Sequence, residues 1–193
     1  MRMKKGNSTV NALQGTAASV LLISAIAAGP AGATTMGPDT FGYTAADEDE
    51  ASVDYAWVDM SAGTDMVGDL GDTDISAAIP LGFTFVFYGR EYTEAYVDSD
   101  GFVVFEAIDP STVDYLTLAC EQPADDTLDS WISFHAWDFD PSDATACTDC
   151  HVWVASGGTA PNRWWGVTFW NVPDNLIGAT AIKAQVILYE GTN

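Results

Sequence analysis

Basic residues are scarce: six Lys and Arg stand against 28 Asp and Glu in 193 residues, a formal net charge of −22. A field of that sign repels phosphate backbones and anionic headgroups, which excludes nucleic acid as a partner class. Histidine is almost missing as well. Only His135 and His151 are available as bases for serine or cysteine hydrolysis, and no G-x-S-x-G elbow accompanies them. Cysteine is limited to Cys120, Cys147 and Cys150. Beyond residue 33 no stretch approaches the ~20 apolar residues of a spanning helix, so no membrane insertion of the mature chain is expected. Sustained helical periodicity is lacking too, and 111–129, with Pro123 inside it, offers none.

The exception to the shortage of apolar runs is the start. Arg2, Lys4 and Lys5 precede the run Val20 to Ala28, and Ala31-Gly32-Ala33 provides an A-x-A cleavage site. Residues 1–33 therefore read as a signal peptide, with a secreted or cell-surface destination. Removing it leaves three basic residues, Arg90, Arg163 and Lys183, against the 28 acids, a net charge of about −25. Such a surface serves solubility in high salt or binding of divalent cations. Because the acids are spread along the whole chain, the first reading leads.

Residues 34–53 combine Gly, Pro and an acidic run and predict an extended acidic entry segment. From residue 54 the rhythm becomes that of strands. In LGFTFVFYGREYTEAYVDSDGFVVFE (81–106), Phe83, Phe85 and Phe87 alternate with Thr84, Val86 and Tyr88. Gly89-Arg90 predicts a two-residue turn, and Asp100-Gly101 a second one, giving a three-stranded meander. Similar runs recur at 131–139, 151–155, 163–172 and 182–189. The expectation is all-β: a two-layer antiparallel β-sandwich of about eight or nine short strands over 54–193, with a closed barrel as runner-up. Only Glu190-Gly191-Thr192-Asn193 follows the last strand pattern, which reads as a domain truncated at its C-terminus.

IPLGFTFVFYGREYTEAYVDSDGFVVFE resembles a β-sandwich module of secreted and surface bacterial proteins. With WISFHAWDFDP, NRWWGVTFWNV and AQVILYEGTN following in order, roughly residues 38–193 are similar to the nidogen-type extracellular (NIDO) domain. The resemblance implies a non-catalytic part that sits beside peptidase, adhesin or carbohydrate-binding domains, and it brings no catalytic residue. Asp98 and Asp100 stand where such relatives more often carry Ser and Asn, and the Cys147 to Cys150 loop looks like an insertion.

Four readings are open for Cys147-Thr-Asp-Cys150-His151. It spells a haem c attachment site, with His151 as axial ligand and His135 or Met66 as the second. It completes a Cys3His zinc set with Cys120. A redox pair would need a helix start, and the motif precedes a strand. The fourth and leading reading is a disulfide from Cys120 to Cys147 or Cys150, closing a loop of about 27 or 30 residues at ~3.5 kcal/mol of stabilisation.

Two acid groups are candidate calcium ligands: Asp138, Asp140 and Asp143 at a strand end, and Asp98 with Asp100 in a hairpin. Solvated turn acids are the competing reading. Among seven tryptophans, Trp164 and Trp170 alternate to one strand face, with Trp165 and Phe169 on the other. Both sets are expected to be core, although an exposed set would mark a binding surface and indoles stack on sugar rings.

The function expected from these residues is a non-catalytic extracellular module for adhesion, assembly or ligand binding, with calcium a candidate stabiliser and surface or matrix components or carbohydrate as partners. The alternatives are an N-terminal accessory region of a secreted hydrolase and an extracellular monohaem protein.

Overall fold

The computed structural model describes residues 35–51, 53–109, 130–175 and 181–191. The signal segment and all of 111–129, Cys120 included, lie outside them. Among the described residues there are ten strands and no helix, hence none long and apolar enough to cross a membrane.

The phenylalanine alternation produces β4 (Ile79–Phe87), which turns back into β5 (Arg90–Asp98) and on into β6 (Phe102–Val104), with β7 (Trp131–Ser133) completing a sheet ordered β4-β5-β6-β7. The meander is as expected, but both turns sit elsewhere. Phe87 pairs with Arg90, so Tyr88 and Gly89 make the first turn, at φ 46° and 79°. Asp98 pairs with Phe102, leaving three residues, with Gly101 at φ 85°, in the second. Only a residue tolerant of positive φ closes such loops without cost, and the sequence supplies glycine once in each.

The second sheet is ordered β10-β9-β8-β3, from β8 (His151–Thr159), β9 (Asn162–Pro173), β10 (Ala181–Tyr189) and the short β3 (Thr64–Asp65). All pairings are antiparallel. The strand alternation in β9 breaks at Asn171, where φ is 51° and the register against β10 shifts. That bulge returns Val172 to the inner face after Phe169, three positions on, and both are fully buried.

The two sheets stack as a sandwich. Leu81, Phe83, Phe85, Ala95, Val97 and Val103 from one layer meet Val152, Val154, Trp165, Val167, Phe169 and Leu188 from the other. Phe134 and Phe139 lie edge-on to Phe169 across the gap, at 5.1 and 6.2 Å. Phe102 and Val104 point the other way, into a smaller cluster with Ile75, Tyr96 and Trp131.

The entry segment has structure of its own. β1 (Thr35–Met36) pairs with β2 (Ala45–Ala46) around a turn in which the Asp39 carboxylate accepts the Phe41 and Tyr43 N–H groups at 2.9 Å each. The Tyr43 hydroxyl then accepts the Tyr88 N–H and donates to the Val86 carbonyl, tying this hairpin to the β4–β5 turn.

Candidate functional site

The acids singled out in the sequence fall at one end of the sandwich. Asp98 ends β5 and Asp100 lies in the β5–β6 loop, each 4% exposed. Asp98 accepts the Asp100 N–H at 2.9 Å, and Asp100 accepts the Phe139 N–H at 3.1 Å. Trp137 N–H donates to the Asp100 carbonyl, so the 137–139 stretch is laced to the hairpin. Asp74 joins from the preceding turn, its N–H on the Ser99 hydroxyl and its carbonyl accepting the Ser99 N–H.

Burial pushes the Asp98 carboxyl up to about 6, with the Asp74 charge adding to it and the hydrogen bond from Asp100 opposing. Asp100 rises to about 7, through burial first and then the charges of Asp98, Asp138 and Asp72. Asp72 is itself raised by burial and by Asp140 and Asp138. Asn175 bridges Asp138 and Asp72 with its amide.

The two predicted acid groups thus converge in part: the Asp138 charge acts on Asp100, whereas that of Asp140 acts on neighbouring Asp72. Asp143 does not take part; its carboxylate accepts the Thr145 and Ala146 N–H groups of its own turn. The sequence reading missed Asp72, Asp74 and Asn175, which lie in Gly-Asp and Pro-Asp-Asn turns whose positions only the tertiary fold sets. Among the described residues no three Asp, Glu, His or Cys side chains are grouped as metal ligands.

The cysteines correct a second expectation. Cys147 bonds Cys150, not Cys120, because the turn begun by Asp143 brings the two sulfurs together three residues apart. Thiols joined to each other offer neither thioether bonds to haem nor thiolate ligands to zinc. His151 is also engaged elsewhere: Nδ1 lies 2.6 Å from Asp65 Oδ2 and the ring stacks on Trp153 at 4.5 Å. Met66, one proposed second axial ligand, is buried in the main core. His135 is exposed and packs its ring 5.5 Å from Phe139.

The outer face of the β10-β9-β8-β3 sheet is the other candidate. Strand register places His151, Trp170 and Lys183 in one row, Trp153, Thr168 and Gln185 in the next, then Ala155, Gly166 and Ile187, and finally Gly157, Trp164 and Tyr189. The expectation of two core sets is therefore half right: Trp165 and Phe169 are core, whereas Trp164 and Trp170 are half-buried on this outer face.

A strap, residues 57–63, runs across the middle rows. Trp57 stands edge-on to Trp170 at 6.1 Å, Gln185 holds Val58, and the Met60 side chain fills the space over Gly166. On one side of the strap an aromatic strip remains, with Trp153 5.9 Å from Trp170 and the Lys183 ammonium 3.6 Å above the Trp170 ring. On the other side a cleft of about 560 Å³ opens, lined by Asp59, Thr64, Pro80, Ser156, Trp164 and Trp165 among others.

No curated protein and no solved structure matches this sequence. The family model described as NIDO related matches residues 43–193, which takes in both sheets and the strap. The chain belongs to the NIDO-related family.

Proposed function

We propose that this extracellular-type β module is a non-catalytic binding domain that engages a surface or matrix component through the outer face of the β10-β9-β8-β3 sheet. The observation that carries this reading is the placement of Trp57, Trp153, Trp164 and Trp170 on that face, all half-buried. The solvent side of an antiparallel sandwich is ordinarily polar, and aromatic side chains there are the residue type that dominates binding surfaces. The non-catalytic part is supported by the match to the NIDO-related family, which is not a known catalytic one. The signal-like start supports an exported setting.

The test is a panel of immobilised insoluble polysaccharides and matrix proteins, probed with the full chain and with Trp153→Ala/Trp170→Ala and Trp164→Ala variants. Saturable binding to a panel member, weakened about tenfold or more by at least one variant, is expected. Binding that survives all three changes, or turnover of a panel member, contradicts the reading.

A further inference from the structure

We infer that the cleft beside the strap is a saccharide subsite, taking a neutral or amino sugar ring against Trp164; this rests on the binding role proposed above and names the ligand class. The cleft lies where the strap, the start of β4 and the β8–β9 hairpin meet, and its volume of about 560 Å³ falls within the range of small-ligand sites.

Its lining has the mixed character a sugar requires. Trp164 supplies an aromatic surface whose position is fixed by Gly157: a Cβ at 157 would lie 2.7 Å from the indole, so only glycine lets the ring settle onto the strand. Thr64 and Ser156, both exposed, are among the lining residues and carry hydroxyls, each a donor and an acceptor. Asp59 adds a carboxylate, held below its ordinary range by the Ser61 hydroxyl and N–H, and thus an ionised acceptor for hydroxyl or ammonium donors.

Trp165, a core side chain at 1% exposure, also lines the cleft.

Charge narrows the class further. Among the described residues no Lys or Arg lines the cleft, Asp59 is anionic, and the chain carries −22 overall. Uronates, sulfated sugars and phosphates are therefore disfavoured, whereas neutral and amino sugars are not.

Isothermal titration of the full chain with cellohexaose, chitosan hexamer and hexagalacturonate, together with a neutral extended hexapeptide, tests the assignment. Binding of a neutral or amino hexamer is expected, with hexagalacturonate weaker by about tenfold. Trp164→Ala should lower that affinity about tenfold and Trp164→Tyr should restore part of it, with both variants retaining the melting temperature.

Absence of sugar binding at millimolar concentrations, tighter binding of the peptide, or an affinity indifferent to Trp164→Ala overturns the subsite. If Trp153→Ala/Trp170→Ala abolishes sugar binding while Trp164→Ala spares it, the subsite fails and the outer-face reading stands. If the polymer panel and every hexamer are inert, both fail.

Discussion

The side-chain amide of Gln185 clasps the backbone of Val58: Val58 N–H donates to Oε1 at 3.0 Å, and Nε2 donates back to the Val58 carbonyl at 2.7 Å. The same Nε2 reaches the Thr168 hydroxyl at 2.6 Å. One side chain of the edge strand thus does what a neighbouring strand would do, and holds the strap that divides the outer face. Gln185→Leu fills the space but leaves the Val58 N–H and carbonyl without partners, at a cost of about 1–3 kcal/mol. We expect faster amide exchange at Val58 and its neighbours with β8 and β9 unaffected; uniform protection in the variant would show that the strap is held by Met60 alone.

The buried pair Asp98 and Asp100 makes stability depend on pH in a direction opposite to the usual acid behaviour. Both carboxyls bind protons more tightly folded, near 6 and 7, than unfolded, near 4. Their contribution is present at pH 4, falls as pH rises through 6 and 7, and is fully lost above pH 8. Asp98→Asn/Asp100→Asn keeps both amide acceptors and removes the burden of burying charge. The variant should melt higher than the parent at pH 8 and no higher at pH 4, by chemical or thermal denaturation. A parent whose stability rises from pH 5 to 8, with no gain in the variant, contradicts this electrostatic picture.

Gly82 and Gly101 provide a controlled comparison. Both have positive φ, 81° and 85°, but an added Cβ at 82 meets nothing within 4 Å, while at 101 it would lie 2.2 Å from the His135 carbonyl oxygen. Gly82→Ala should cost only the left-handed conformation, about 1–2 kcal/mol. Gly101→Ala adds a collision with backbone at the acidic end and should cost several kcal/mol more, or prevent folding. Equal unfolding midpoints for the two variants would mean that the 131–139 stretch does not lie against the hairpin.

The cysteine pairing leaves a chemical signature. With Cys147 bonded to Cys150 and three cysteines in the chain, one thiol per molecule should be alkylated without reductant, on the peptide containing Cys120. Because the bridge closes so short a loop, Cys147→Ser/Cys150→Ser should cost less than the ~3 kcal/mol of a fifteen-residue loop. A disulfide-linked peptide containing Cys120 would contradict the pairing.

Much of this was legible in the residues. Strict alternation in 81–106 and 163–170 sets sheet faces directly, and it separates Trp165 from Trp164 correctly because period two holds on both sides. Its failures have local causes. The first turn slips by one residue because Tyr88 accepts a positive φ that propensity assigns to Gly89 alone, supported there by the Tyr43 hydroxyl on its N–H. Asn171 breaks the alternation for the same reason. The candidate site was less legible. Asp98, Asp100 and Asp138 could be suspected from spacing, but burial of the first two depends on the 137–139 stretch lying across them. The half-buried state of Trp164 and Trp170 depends on how narrow a strip residues 57–63 cover.

The most direct test of the outer-face account is an NMR titration of the indole N–H signals of the seven tryptophans with the most tightly bound panel member. The account predicts that signals of Trp57, Trp153, Trp164 or Trp170 move while those of Trp131 and Trp137, on the other sheet and at the acidic end, stay fixed. Movement confined to Trp131 and Trp137 would place the binding surface elsewhere and contradict it.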